Sequence, residues 1–484
     1  NFPEIGEEFQ NELNGLDIVG ENSLYQYLNI CKTKNSKRKL VERLTNPANT
    51  KEELKEKQMI IKELSEKINF SLEFQVALKE YYNESKNFNL NYIINFLQKD
   101  IKFSNIHLYV VIGFIFLTVI TFFLAIFNSI SWNYFLSIFV IQFLYSSLFR
   151  NFHRDEFAKI QDVSLTIVLL ENIFQVIASE NFTNENLQNY QNNIKIYGLK
   201  GITGINKVKN IESYNQFFIT YIILNGLFSL NIILIKMFKD YINEYGKVFL
   251  LSVEALEQFE VNGSLAIIGQ VKQNISMPEY VDEVKLKFTE LRHPLIPEGE
   301  CVPNSFNLEE NMNIITGSNM SGKTSFLRTI GINLILMNAG TFVNGLSFQS
   351  TYLKIFTSMR ITDDLNKGIS TFYAELLNIK KAIDYAKENK PMIVLIDEIF
   401  KGTNSNDRIK GAISLIERLN NDKIILFIST HDFELCNIET LKLKNYHFTE
   451  HYFNNQIHFD YKLREGKCKT TNAQYLMKLV GIIE

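Results

Sequence analysis

Two stretches of this chain carry no Asp, Glu, Lys or Arg. They are His107–Phe127 (HLYVVIGFIFLTVITFFLAIF) and, after Asn128-Ser129-Ile130-Ser131, Trp132–Phe149. As helices rising 1.5 Å per residue, each is long enough to cross about 30 Å of hydrocarbon. A core helix of a water-soluble domain would ordinarily carry a charge within that length. The flanks agree: Lys99 and Lys102 precede the pair, Arg150, Arg154 and Lys159 follow it, and the connecting turn is uncharged. By the positive-inside rule both ends of such a hairpin face the cytoplasm. Trp132, the single tryptophan, sits at the turn, where an interfacial anchor belongs. The expectation is a transmembrane helical hairpin over 107–149, in contact with lipid.

A third apolar run, Phe217–Phe238, contains Asn225, Gly226, Ser229 and Asn231 and reaches Lys236. As a third span it would put residues 151–212 and the C-terminal half on opposite sides of the membrane. It reads better as one long, largely buried helix packed on its predecessors.

The remaining chain has an ordinary globular texture. With 484 residues, the usual prior gives about three or four domains. Hydrophobic residues at 46% and charged residues at 21% exclude wholesale disorder. A net charge of −3 argues against a wholly basic nucleic-acid coat protein and leaves room for a local phosphate-binding patch. Cys31, Cys301, Cys436 and Cys468 lie far apart without a CxxC pair. That frames neither a disulfide scaffold nor a zinc site and points to a reducing compartment. The chain starts at Asn1, and no signal peptide is read there.

Residues 22–100 read as helices interrupted at Asn46-Pro47. Their basic stretch, Lys32, Lys34, Lys37, Arg38, Lys39 and Arg43, reads first as a solvated helix face and second as a phosphate contact. Residues 151–213 look helical and then loop-like around Gly201 and Gly204, and 239–285 look like further helices followed by a strand-rich piece. From about 286 the texture is α/β, with short strands (Met312–Thr316, Tyr352–Thr357, Met392–Ile396, Lys423–Ser429, Gln456–Tyr461) alternating with helical patterns. The fold class expected is α + α/β: a helical region over 1–106 and 150–285, interrupted by the hairpin 107–149, then an α/β domain over 286–484.

The chemistry is concentrated in that last part. Gly317-Ser318-Asn319-Met320-Ser321-Gly322-Lys323-Thr324 is a full GxxxxGK[ST] match, after the strand Asn313–Thr316 and before the helix Ser325–Met337. Glycines let backbone N–H groups face phosphates, and a helix N-terminus adds partial positive charge. Lys323 would reach the β- and γ-phosphates and the Thr324 hydroxyl would bind Mg²⁺, which makes ATP and Mg²⁺ the expected ligands. Ile393-Val394-Leu395-Ile396 leads into Asp397-Glu398, a buried strand that delivers two carboxylates at its end. Asp397 would hold Mg²⁺, and Glu398 would orient or deprotonate the attacking water. A third strand ends in His431, positioned to sense the nucleotide or place water.

With these motifs laid out, the chain resembles the MutS DNA mismatch-repair ATPases. TGSNMSGKTSFLRTIGINLILMNAGTFV (316–343) is similar to their phosphate-loop segment. ITDDLNKGISTFYAELLNI (361–379) is similar to their composite-site segment, with its DDL, its GxSTF and its acidic residue. LIDEIFKGTNSNDRIKGA (395–412) and STHDFEL (429–435) are similar to their Walker B region and THxxEL. ELRHPLI (290–296), VPNSFNL (302–308) and YKLREGKCKTTNAQYLMKLVGI (461–482) fit the flanks, and residues 23–64 resemble the start of the family's helical core. The resemblance covers about half the chain, at its two ends.

The resemblance implies an ABC-type P-loop ATPase that works as a dimer, here a homodimer through the ATPase domain, with nucleotide held between subunits. Gly317 to Ser325, Ser325 included, would line the nucleotide. Ser370 would approach the γ-phosphate bound by the partner, Asn319 would touch phosphates, and Gly402-Thr403 and Asp407 would lie at the dimer interface. Tyr461 stands where the family stacks a side chain on adenine; a core tyrosine is the other reading. Cys301 stands where an aromatic adenine contact is common, and Ser358 replaces a frequent Arg before Asp363-Asp364; both depart from the pattern. Residues 1–22 alone precede the core resemblance, so the family's separate mismatch-reading domain is not expected in this chain. The reading that results is a membrane-attached, MutS-like ATP-driven dimer switch with its ATPase domain in the cytoplasm. The family implies binding of mismatched duplex DNA and mismatch repair. The alternative is a membrane-bound ATPase switch for signalling or transport coupling that does not bind DNA.

Overall fold

The computed structural model describes residues 15–45, 50–84, 95–98, 101, 103–359, 371–400, 404–438, 442–453 and 456–468. The chain divides into two compact units, residues 1–66 with 261–484, and residues 67–260. The N-terminal helices thus pack with the α/β part.

Three helices open the first unit: α1 (Leu24–Leu28), α2 (Lys34–Thr45) and α3 (Lys51–Glu66). Ser23 caps α1 by accepting from Gln26 N at 3.2 Å. The basic stretch is engaged inside the unit. Arg43 Nε donates to the carbonyl of Ala339 at 2.9 Å, and Arg38 pairs with Glu42 one turn away at 3.5 Å. A cation on an orphan C-terminal helix carbonyl is favourable, which gives Arg43 a structural task.

The second unit is helical throughout: α4 (Ile68–Glu84), α5 (Asn105–Ile126), α6 (Trp132–Phe152), α7 (Arg154–Val168), α8 (Glu171–Ser179), α9 (Glu185–Asn193), a π-helical turn at Ile194–Leu199, α10 (Lys200–Ser213), α11 (Phe218–Phe228), α12 (Leu230–Tyr245) and the first part of α13 (Phe249–Val271). The helices α5 and α6 carry the two uncharged stretches, and α6 runs on through Arg150. Ser104 caps the first, accepting from Ile106 N at 3.4 Å, and Ser131 caps the second, accepting from Asn133 N at 3.3 Å. Both are long and apolar enough to cross a membrane, and both expose large side chains, among them Tyr109, Ile112, Phe116, Phe123, Leu136 and Leu144. Their polar side chains turn inward: Thr118 and Gln142 are buried and share a hydrogen bond of 2.9 Å.

Two readings of this region are corrected. The segment around Gly201 and Gly204 is helix, not loop. A Cβ at Gly201 would stand 2.9 Å from the Phe249 ring and one at Gly204 3.1 Å from the Tyr241 ring, so these glycines permit close helix packing. The run Phe217–Phe238 is not one long helix. It breaks at Ser229, which sits at φ +51°, into α11 and α12, bent by 82°. The second piece is buried at Ile232, Leu234, Ile235 and Phe238, whereas the first exposes Phe218, Ile219 and Ile223.

The α/β part of the first unit holds β1 (Glu279–Tyr280), β2 (Leu286–Leu291), β3 (Asn304–Asn307), β4 (Met312–Thr316), α14 (Lys323–Ala339), β5 (Ser347–Ser350), β6 (Lys354–Ser358), α15 (Thr371–Ala386), β7 (Met392–Asp397), α16 (Ser405–Leu419), β8 (Ile424–Ser429), β9 (Leu443–His447), β10 (Glu450–Phe453), β11 (Gln456–Phe459) and β12 (Arg464–Glu465). Six strands form the central sheet in the order β12-β9-β4-β8-β7-β6, parallel except for the edge strand β12. Four others form the sheet β1-β5-β2-β3, and β10 and β11 form a hairpin. The inner strands β4, β7 and β8 are buried along nearly their whole length, as parallel strands covered on both faces must be. This burial explains the unbroken Ile, Val, Leu and Phe runs.

Candidate functional site

The site is built at the C-terminal ends of β4, β7 and β8, where an open parallel sheet places ligand-binding loops. The chain leaves β4 through Gly317 at φ +146°, Met320 at +68° and Gly322 at +113°. A Cβ on Gly317 would stand 2.9 Å from the Phe448 carbonyl oxygen, so only glycine fits that close approach. Gly322 is the cap of α14, which aims the helix N-terminus into the loop.

Lys323 lies buried beneath this loop. Its Nζ donates to the carbonyls of Gly317 and Ser318 at 2.8 Å each and stands 3.5 Å from His431 Nε2. Ser318 Oγ donates to the buried carboxylate of Glu450 at 2.9 Å. The buried Ser321 hydroxyl has no hydrogen-bond partner among the described residues. A buried hydroxyl without a partner is costly, and an anion seated in the loop would supply one. Met320 is 83% exposed and Ser325 is exposed as well, so the chain offers at Met320 its backbone rather than its side chain.

Strand register assembles the acidic half. Asp397 and Ser429 are partners across β7 and β8. Ser429 Oγ donates to Asp397 Oδ1 at 2.6 Å, and Thr324 Oγ1, at the start of α14, donates to Asp397 Oδ2 at 2.8 Å. Glu398 follows at φ +56°, its N–H bonded to Ser429 at 3.1 Å. Its Oε1 lies 3.0 Å from His431 Nε2, which also lies 2.8 Å from Asn319 Oδ1. That nitrogen thus has the Glu398 carboxylate, the Asn319 side chain and the Lys323 ammonium around it, and links the acidic residue to the phosphate loop. A hydroxyl and a carboxylate side by side beside a phosphate-type loop match the oxygen ligands that Mg²⁺ takes from a protein at a phosphate site. The residues therefore fit a magnesium-bound nucleoside triphosphate.

Tyr461 borders the same loop: its Cδ1 would lie 3.2 Å from a Cβ on Gly322. Asn304 holds it there, donating from Nδ2 to the Tyr461 carbonyl at 2.9 Å while its Oδ1 accepts from Leu463 N at 2.8 Å. The ring is 43% exposed, so a core tyrosine is not what the structure shows. Cys301 is half-buried, its Sγ accepting from His293 N at 3.3 Å; burial pushes its thiol above the usual range. Ser370, Gly402 and Thr403 lie outside the described residues. Asp407 is described, and it closes the N-terminus of α16. Its N–H donates to Asn404 Oδ1 at 2.9 Å and its Oδ2 accepts from Asn404 Nδ2 at 2.7 Å.

Three positions were not singled out from the sequence: Ser429, Asp432 and Glu450. Ser429 could have been found, as the residue facing Asp397 once β7 and β8 are paired in parallel. Glu375, the acidic residue of the 361–379 segment, accepts at Oε1 from the Phe400 N–H at 2.8 Å, which pins the turn after Glu398. Asp432 holds Arg408 through two bonds of 2.6 and 2.8 Å and ties the residue after His431 to α16. Glu450 carries no sequence signal, because β10 is remote from the phosphate loop along the chain.

Comparison with known proteins agrees with this geometry. A family model for MutS domain V matches residues 313–483, a range that takes in the loop, Asp397, Glu398, His431 and Tyr461. The DNA mismatch repair protein MutS of Staphylococcus carnosus is 29% identical over 259 residues, covering 51% of this chain and 30% of that protein. That of Oceanobacillus iheyensis is 30% identical over 256 residues, covering 50% and 29% respectively. That of Staphylococcus epidermidis is 29% identical over 254 residues, covering 50% and 29%. The match thus spans less than a third of the length of these relatives. Residues 313–483 of this chain are thus a MutS domain V, and the chain is similar to MutS over about half its length.

Proposed function

We propose that this protein is a membrane-attached, MutS-like ATPase that hydrolyses ATP to ADP and phosphate and couples nucleotide state to a dimer acting on DNA. The observation that carries the ATPase reading is the convergence of Thr324, Asp397, Glu398 and His431 around Lys323 at the end of the parallel sheet. The loop amides, Lys323 and the Ser321 hydroxyl bind the triphosphate. Thr324 and Asp397 would hold Mg²⁺, which when bound neutralises phosphate charge. Glu398 accepts a proton from water as the water oxygen bonds to the γ-phosphorus and ADP departs. His431 holds the Glu398 carboxylate in place through its Nε2 and ties it to Asn319 in the phosphate loop. Tyr461 offers a π face to the base.

Membrane attachment is supported by the exposed apolar faces of α5 and α6. Exposed apolar surface on this scale is rare in water-soluble monomers. Action on DNA is supported by the relatives above, which are named DNA mismatch repair proteins, and a dimer is what the resemblance to the MutS family implies. ATP bridging two subunits would favour a closed dimer that ADP does not, the differential binding a switch requires.

Two measurements test the reading. Glu398→Gln should bind ATP as the wild type does while turnover falls at least about 100-fold, a barrier increase of about 2.7 kcal/mol; equal turnover would remove Glu398 from the mechanism. Binding to mismatched and matched duplex DNA at two salt concentrations should show affinity falling steeply with salt. An absence of binding at low salt would leave a membrane-bound ATPase switch without a DNA substrate.

A further inference from the structure

The break at Ser229 defines a membrane element that neither one buried helix nor a third span describes. Helix α11 has 11 residues, which at 1.5 Å per residue is about 16 Å, half of a hydrocarbon core. The chain then turns through 82°. From Phe217 to Ile235 there is no charged residue, and Phe217, Phe218, Ile219, Ile223 and Phe228 are exposed.

A helix break inside hydrocarbon is tolerated only when the protein itself satisfies the freed backbone groups. Here the Asn225 side chain takes up a freed N–H, that of Asn231, and the two asparagines tie the break to α6. Asn225 Oδ1 accepts from Asn231 N at 3.0 Å and from Ser146 Oγ at 2.7 Å, and Asn225 Nδ2 donates to the Tyr221 carbonyl at 2.9 Å. Asn231 Nδ2 donates to the Ser146 carbonyl at 3.2 Å. Both asparagines are fully buried. A break exposed to water would need no such internal provision.

The contacts also set the depth. Tyr221 meets Phe143 and Ser147, Asn225 meets Ser146, Asn231 meets Arg150, and a Cβ on Gly226 would collide with the Phe139 ring at 2.3 Å. All of these partners lie between Phe139 and Arg150, the half of α6 nearest its charged end. The exposed face of α11 is therefore continuous with the lower half of the hairpin.

We propose that α11 is a re-entrant half-helix, seated in the acyl chains of the leaflet that borders the charged ends of the hairpin, and that the chain turns back at Ser229 to leave on the side it entered. Its occupant is lipid. This rests on the membrane reading of the hairpin and adds a third inserted element to it. The segments before α11 and after α12 share one side.

Tryptophan fluorescence of the full chain in vesicles tests this. With Trp132→Phe as background, Phe218→Trp reports on α11 and Phe116→Trp on the hairpin. Lipids brominated on the acyl chain should quench both, and aqueous acrylamide should quench neither strongly. If Phe218→Trp is quenched by acrylamide while Phe116→Trp is quenched by brominated lipid, α11 lies in water and the inference falls, with the hairpin intact. If Phe218→Trp is shielded from both quenchers, α11 is covered by protein, such as a second copy of the chain, and the inference falls. If neither position meets lipid, the membrane reading itself fails and takes the half-helix with it. As an independent arm, protease sites inserted after Tyr214 and after Lys247 should be cut from the same side of sealed vesicles; cutting from opposite sides would make α11 and α12 a full span.

Discussion

Thr324 Oγ1 donates to Asp397 Oδ2 at 2.8 Å, joining the first turn of α14 to the end of β7. The contact closes the ring of groups around the phosphate loop, because Asp397 is also held by Ser429 at 2.6 Å. The carboxylate is thereby aimed from two sides before any ligand arrives.

Ser429→Ala should therefore act through Asp397 without touching substrate. It removes one of the two bonds that orient the carboxylate, worth roughly 1.5–3 kcal/mol for a hydrogen bond to a charged group. The expected outcome is a higher Mg²⁺ concentration for half-maximal turnover, with saturated turnover falling about tenfold or less. Asp397→Asn should lose more, at least about 100-fold in turnover, since a charge is removed from the metal site. A magnesium titration of ATPase activity in the two variants checks both.

His431 should be a positioning residue for Glu398. His431→Ala frees the Glu398 carboxylate and should lower kcat with little change in KM for ATP. His431→Gln, which keeps a donor, should recover part of the loss. A matched fall in both variants, or a change in KM alone, would count against the role.

Glu450 meets Ser318 from β10 and is buried. Glu450→Ala leaves the Ser318 hydroxyl without its acceptor, at a cost of about 1–3 kcal/mol. Expected is a several-fold rise in KM for ATP together with a lower thermal midpoint, while Glu450→Gln, which still accepts through its amide oxygen, should move both less. Nucleotide titration and thermal denaturation of the two proteins measure this.

Acid should weaken the first unit through His293. The ring is buried, Leu295 N donates to its Nδ1 at 3.3 Å, and burial together with the Arg328 charge lowers its pKa from 6.5 to about 4. The fold holds the neutral ring, so the unfolded chain binds the extra proton. Stability from this group is complete above about pH 6.5 and is lost as pH falls toward 4, up to about 3 kcal/mol in all. Denaturant midpoints measured between these pH values should fall for the wild type and flatten in His293→Gln.

The Asn225 pocket should be intolerant of an isosteric apolar side chain. Asn225→Leu deletes acceptors for Ser146 Oγ and Asn231 N and should destabilise the helical unit by at least roughly 1–3 kcal/mol. Thermal unfolding in detergent should show it, with Asn231→Leu similar and the double variant less than additive, because the two side chains serve one network.

The α/β part was largely legible because its buried strands announce themselves. Ile393–Ile396 and Ile424–Ile428 read as buried strands, which the structure pairs in parallel, and the phosphate-loop glycines mark the turn between β4 and α14. What escaped was set by pairing across the chain rather than by local pattern. The partnership of Asp397 with Ser429 comes from strand register, and that of Ser318 with Glu450 from the fold of β10. The break at Ser229 escaped for a different reason. No Pro marks it, and the residues that make it tolerable, Asn225 and Asn231, looked like polar interruptions of an apolar helix. Gly201 and Gly204 misled in the opposite sense, since a glycine that admits a neighbouring ring is locally indistinguishable from one that opens a loop.

Helix α14 has one end at the phosphate loop and the other gripped by Arg43 of α2 through the Ala339 carbonyl. Its 17 residues make a strut of about 26 Å, and nearly every residue along it is buried. A rod so enclosed has little room to bend, and its far end is held to α2. Within this unit, the glycine-rich loop after β4 and the N-terminal helices are joined through a single helix.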